Sequence, residues 1–197
     1  MRTATLALLL TLGVSVQAES PVPRPSKEFT VATPQGQQIL LSSLKGKVAV
    51  VQFLFTWCPH CQAFSKVLTQ LNTEYGPRGF QALGVAFDDD DGKMPLKDKV
   101  VGYTKQYAGF PVGFSTRSAV LSYLGISELE RIGVPQVVVI DRKGVIREQS
   151  PLLGGFDAAR LGPLVESLLA ESAGAKAPAK SGTTGTTKKP AEKKTSE

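Results

Sequence analysis

The chain has 197 residues, 42% of them hydrophobic, and a formal net charge of +6, which is the size of one ordinary domain with ends. Arg2 and the lysines at 176, 180, 188, 189, 193 and 194, set against Glu171, Glu192 and Glu197, leave only about +2 for residues 19–170. A nucleic-acid-binding protein needs its positive charge clustered on the folded body, so the composition argues against nucleic acid as a partner.

The first twenty residues, "MRTATLALLLTLGVSVQAES", open with one positive charge and run apolar from Ala4 to Val16. They end in the small-residue pattern "VQA", which predicts a signal peptide over residues 1–18 cleaved near Ala18. The run is short of the roughly 18 apolar residues of a membrane span, so the mature chain is expected to have none and to be periplasmic or secreted. Residues 19–26 are proline-rich and predict an extended linker.

"FTVATPQGQQILL" holds two short β runs around Pro34-Gln35-Gly36 and predicts a hairpin. "VAVVQFLF" (48–55) is a nearly continuous apolar run of strand length, the pattern of a strand covered on both faces. A helical stripe of Phe64, Val67, Leu68, Leu71 and Tyr75 follows, stopped by Gly76-Pro77. "FQALGVAF" (80–87) predicts the next strand, and four aspartates at 88–91 an acidic loop; a calcium loop would need a ligand where Phe87 stands. Residues 97–107 predict a helix with Val100, Val101, Thr104 and Tyr107 on one stripe. A short strand is expected in 110–115, where Phe110 and Phe114 read as core, and a helix over 117–124. "PQVVVID" and "VIREQS" flank "DRKG" as an antiparallel hairpin. The last helix lies within 157–171, and Pro163 fits it best if the helix starts just before that residue, with Gly162 leading in. Residues 171–197 have almost no large apolar side chain and predict a disordered Lys/Pro/Thr/Ala-rich tail. Strands alternating with helices, then a hairpin and a helix, define an α/β layered domain with a mixed sheet over residues 27–170.

Both cysteines and the one histidine fall in "FTWCPHCQAF", where the buried strand ends and the amphipathic helix begins. Free N–H groups and the positive dipole end at a helix N-terminus stabilise a thiolate, and the thiolate is the attacking species. Cys61 can then displace a mixed disulfide formed at Cys58. Pro59 costs little in the first turn, and a protonated His60 would add positive charge beside the sulfur. A bridge closing so small a loop is a poor staple. Zinc wants four ligands, and only Cys58, Cys61 and His60 offer sulfur or imidazole. A c-type haem would need histidine where Gln62 stands. No metal site and no organic cofactor are implied, although a copper(I)/thiol binding module on the two thiolates stays open as an alternative.

"LSSLKGKVAVVQFLFTWCPHC", "LGVAFDDD" and "GVPQVVVIDRKGVI" together resemble the TlpA/ResA type of thioredoxin-fold thiol–disulfide oxidoreductase, within the broader peroxiredoxin-like branch. The resemblance implies a three-layer thioredoxin-like fold with an N-terminal hairpin and a central insertion somewhere in residues 88–130. It implies Cys58 as nucleophile, Cys61 as resolving thiol, Trp57 as a shield for the pair, and Pro135 as a cis-proline beside Val134, whose backbone would hold a substrate chain. Protein thiols or disulfides are the implied substrates, with an upstream redox partner; the sequence leaves the oligomeric state open. Two departures stand out. Thioredoxin has a buried acid six residues before the first cysteine, where this chain has Gln52. The dipeptide Pro59-His60 matches the oxidase DsbA, whereas reductases are common in the TlpA/ResA group, so oxidation and reduction both stay open. A thiol-dependent peroxidase is a further alternative, but the peroxiredoxin run "P-x-x-x-T-x-x-C" is not met, because Thr56 is two residues before Cys58 rather than three.

Overall fold

In the computed structural model, which describes residues 21–88 and 97–173, the chain builds one mixed sheet with helices on both faces. The strands are β1 (Arg24–Pro25), β2 (Thr30–Ala32), β3 (Gln38–Leu40), β4 (Val48–Phe55), β5 (Phe80–Asp88), β6 (Val112–Phe114), β7 (Gln136–Ile140) and β8 (Val145–Gln149). The helices are α1 (Pro59–Tyr75), α2 (Lys97–Tyr107), α3 (Arg117–Leu124) and α4 (Ala158–Ala173). The spatial order is β1-β8-β7-β4-β5-β6-β2-β3. β4 pairs parallel with β5 and antiparallel with β7, so it lies near the middle of the sheet with its C-terminal end, and therefore Cys58, at one rim.

Alternation along β4 divides the interior into two cores. Val48, Val50 and Leu54 face α1 and α4, packing with Phe64, Leu68, Leu161 and Val165. Ala49, Val51 and Phe53 face the other way, toward Phe29, Tyr123 and Leu124. Gln52 follows the first parity and is fully buried on the α1 side. Phe53 is fully buried with its ring 5.6 Å from Phe29 and 5.7 Å from Tyr123. Truncation to alanine removes both ring contacts and leaves a hole in the centre of the sheet. Phe53→Ala is expected to cost about 3–5 kcal/mol, read as a fall in the denaturant midpoint at unchanged m-value.

Local chemistry accounts for the turns. Gly36, at φ +83°, closes the β2–β3 hairpin, and Thr33 N–H donates to Gln37 O across it. In "DRKG" the Asp141 carboxylate accepts from the N–H groups of Lys143 and Val145, both at 2.9 Å. Thr116 caps α3 by accepting from Ala119 N–H, and Gly125 ends that helix at φ +74°.

Four details differ from the sequence reading. α4 starts at Ala158, and Pro163 lies inside it. Asp157 Oδ1 accepts from Ala159 N–H, and fully buried Leu161 draws the early turn onto the core, so capping and burial outweigh the one N–H that proline lacks. Residues 171–173, assigned to the tail, continue α4, where Glu171 binds Arg147 of β8 in a two-pronged ion pair at 2.8 and 3.2 Å. Arg24 and Pro25, assigned to the linker, are extended but join the sheet edge against Ile146 and Val145. On α2 the buried pair is Val100 and Tyr103, while Val101 is exposed; the reason lies at the functional site. The leader, most of the acidic loop and the remainder of the tail lie outside the described residues.

Candidate active site

The site grows from the junction of β4 and α1. Cys58 is the N-cap of α1 with extended backbone (φ −76°, ψ 117°), and Pro59 takes the first helical position. The chain turns there because Cys58 N–H donates to Phe55 O, while Cys58 O already accepts from Gln62 N–H. That geometry aims the sulfur back over the first turn, where Cys58 Sγ accepts from Cys61 N–H at 3.4 Å. Both cysteines are free thiols. Cys58 keeps 6% of its surface exposed and Cys61 none. Burial, the largest influence on Cys61, pushes its thiol well above the ordinary range, and the neighbouring Cys58 adds to the rise.

The loop before β7 reaches this rim from the other side. The Val134–Pro135 peptide bond is cis, and Val134 O lies 3.9 Å from Cys58 Sγ. Trp57 is 51% exposed with its ring 5.5 Å from Phe55, so it stands beside the pair as an open aromatic wall. Pro59 and His60 are exposed on the first turn of α1. A cleft of about 330 Å³ opens next to the pair, lined by Thr56, Trp57, Gln62, Tyr103 and Tyr107 among others. The structure thus brings Trp57, Cys58, Cys61, Val134 and Pro135 to one place, with Pro59 and His60 on its outer surface.

Two groups of residues that the sequence reading passed over support this arrangement. Ser65 and Tyr103 form a buried polar cluster with Gln52 beneath Cys61. Behind the proline loop, fully buried Gln136 donates from Nε2 to the carbonyls of Gly133, Pro151 and Leu152, at 2.9 to 3.1 Å. The available signal was the same for Gln52, Ser65 and Gln136: a polar side chain within an apolar stripe or strand. Among the described residues no three His, Cys, Asp or Glu side chains gather as a metal site, and no helix is long and apolar enough to cross a membrane.

A strand–Cys-x-x-Cys–helix unit at the rim of a central mixed sheet, facing a cis-proline loop, defines a thioredoxin-like fold built around a thiol pair. The chain belongs to the redoxin family, whose model matches residues 17–151, and within it to the TlpA/ResA-like group. It is 28% identical over 121 residues to the thiol-disulfide oxidoreductase ResA of Bacillus thuringiensis (strain Al Hakam), a match covering 61% of this chain and 64% of that protein. The thiol:disulfide interchange protein DsbE of Pseudomonas aeruginosa is 25% identical over 153 residues, covering 76% of this chain and 77% of the other. The crystal structure of a thiol:disulfide interchange protein of the thioredoxin family from Chlorobium tepidum TLS superposes with a TM-score of 0.61 at 27% identity. That superposition covers 76% of this chain and 99% of that one.

Proposed function

We propose that this protein is an exported thiol:disulfide oxidoreductase that exchanges disulfides with partner proteins through Cys58 and Cys61. The observation that carries this reading is the placement of Cys58 at the N-cap of α1, its sulfur met by the Cys61 N–H and faced by Val134 O. A thiolate formed there is held by a backbone donor and by the helix end. Val134, half-buried beside Cys58, lies outside β7, and its backbone suits pairing with an extended substrate segment that brings its sulfur to Cys58. The activities for which the ResA and DsbE relatives are named point the same way. Export rests on the leader pattern of residues 1–18, with cleavage near Ala18.

In the reducing direction the Cys58 thiolate attacks a substrate disulfide, a mixed disulfide forms, and one substrate thiolate leaves. Cys61 then loses its proton and attacks the Cys58 sulfur. The second substrate thiol is released, and the Cys58–Cys61 disulfide holds the two electrons' worth of oxidation, which an upstream thiol partner removes. Run backwards, the same steps oxidise a dithiol substrate.

Cys61→Ser tests the reading, because it removes the second attack and leaves the first. The variant, exposed to disulfide-bearing proteins of its own compartment, is expected to accumulate covalent adducts that dithiothreitol releases and that non-reducing electrophoresis resolves. If no adduct ever forms at Cys58, the exchange reading is wrong.

A further inference from the structure

The buried cluster beneath the thiol pair joins three elements at one carbonyl. Gln52 of β4 donates from Nε2 to Cys61 O at 2.9 Å, and its Oε1 accepts from Ser65 Oγ of α1 at 2.7 Å. The Tyr103 hydroxyl of α2 lies 2.7 Å from Ser65 Oγ and 3.0 Å from Cys61 O. Gln52 and Ser65 are fully buried and Tyr103 nearly so.

Proton counting orders the cluster. Ser65 and Tyr103 bring one hydroxyl hydrogen each, and three close oxygen–oxygen contacts compete for them. Gln52 Oε1 cannot donate, so Ser65 must donate to it. The Tyr103 hydrogen is then shared between Cys61 O at 3.0 Å and Ser65 Oγ at 2.7 Å, both of which can accept it. Cys61 O thus accepts from Gln52 Nε2 and from the Tyr103 hydroxyl, while Ser65 Oγ donates to Gln52 Oε1 and links the two donors. Burial keeps the Tyr103 phenol well above its ordinary range, so it enters the chain as a donor. An ionised acid in place of Gln52 would turn a lone pair toward Cys61 O instead of an N–H. This network is therefore built for an amide. It also explains why α2 turns Tyr103 inward rather than following the stripe through Val101.

We propose that Gln52, Ser65 and Tyr103 form a positioning network that holds Cys61 by its carbonyl in the dithiol state and so sets the redox poise of the Cys58–Cys61 pair. This inference rests on the exchange reading and adds to it the residues that govern the pair. Closing the disulfide requires the sulfurs to approach to about 2.05 Å; on this proposal that approach draws the first turn of α1, whose Cys61 carbonyl the network holds, away from its dithiol position. The network is complete when the pair is reduced, so it favours the dithiol. Loss of one member favours the disulfide. Polar chains of this kind act as a unit, and removing any one member should have much the same effect as removing two.

The test equilibrates the full chain with glutathione buffers. The balanced reaction is dithiol plus oxidised glutathione giving protein disulfide plus two reduced glutathiones, and the two protein forms are quantified by alkylation and mass spectrometry. Tyr103→Phe and Ser65→Ala are each expected to shift the equilibrium about three- to tenfold toward the disulfide, the worth of one hydrogen bond. The double variant should shift no further than the larger single one. A merely structural cluster would lower the melting temperature of the variants and leave the glutathione equilibrium at the wild-type value. That result overturns the inference alone. A wild-type pair that neither glutathione nor dithiothreitol buffers can cycle overturns it together with the exchange reading. Should Tyr103→Phe fail to fold, Ser65→Ala carries the same comparison.

Discussion

Cys58→Ala is expected to lower disulfide exchange by at least about a thousandfold, the scale of losing a nucleophile, with Cys61 unable to take its place. The two thiols are three residues apart, yet they sit in different surroundings. Cys58 Sγ lies at the helix cap, where Cys61 N–H and the end of α1 meet it, and it retains contact with solvent. Cys61 has no exposed surface, and burial disfavours its charged form. A substrate sulfur cannot reach it in line, and few of its molecules are thiolate at neutral pH. On the proposed cycle Cys61 needs neither access nor a standing charge, because its target would be the adjacent Cys58 sulfur once that sulfur carries a substrate. The same asymmetry has a direct readout. Brief iodoacetamide treatment of the reduced native protein should label one thiol per chain, at Cys58, and the second only after unfolding, as peptide mass spectrometry will resolve. Equal labelling of both thiols would contradict the arrangement.

The parts of this fold that were legible in the sequence are those where one physical signal dominates. "VAVVQFLF" has the apolar continuity of a covered strand and became β4, Val48–Phe55. The helix over 117–124 carries a threonine before it and a glycine after it, and both act as caps. The "DRKG" hairpin follows from one aspartate that can accept from two turn N–H groups. The reading weakened where two signals compete. Pro163 suggested a helix start, but the cap at Asp157 together with the burial of Leu161 offsets its lost hydrogen bond and the crowding of its ring against the carbonyl four residues back. On α2 the apolar count favoured a stripe through Val101, whereas the hydroxyl contacts to Ser65 and the Cys61 carbonyl are met only with Tyr103 turned inward. A polar contact across 38 residues of chain leaves no periodicity.

The site divides in the same way. Adjacent residues carried Trp57, Cys58 and Cys61, because strand, turn and helix follow one another without interruption. Gln52 was visible as a polar residue in an apolar run, and its mismatch with an expected acid was plain. What it binds was not, since the Cys61 carbonyl reaches it only after α1 folds back over β4. Gln136 was hidden for a related reason. Its three acceptors come from two loops, one before β7 and one after β8, which meet only when the terminal hairpin closes.

That meeting of loops predicts the second large effect. Gly133→Ala is expected to cost about 1–3 kcal/mol of stability and to slow exchange about a hundredfold, as a displacement on the ångström scale at a reacting centre does. A Cβ built on Gly133 would lie 2.0 Å from Leu153 O and 2.3 Å from its carbonyl carbon, both backbone atoms. No rotamer change relieves such contacts. One of the two loops must move. The loop at 151–154 is held by Gly133 N–H donating to Leu152 O and by Gly154 N–H donating to Pro151 O, while Gln136 binds the Pro151 and Leu152 carbonyls. Segment 133–135 is expected to yield, which would carry Val134 O away from Cys58 Sγ. The cysteines themselves, held at the N-cap and in the first turn of α1, stay where they are. Gly133→Ala should thus leave the alkylation rate of Cys58 by iodoacetamide close to wild type while turnover of a protein disulfide collapses. A variant that lost both in parallel would mean that the thiol pair depends on the proline loop for its own reactivity. One that lost neither would mean that the loop has no part in holding substrate.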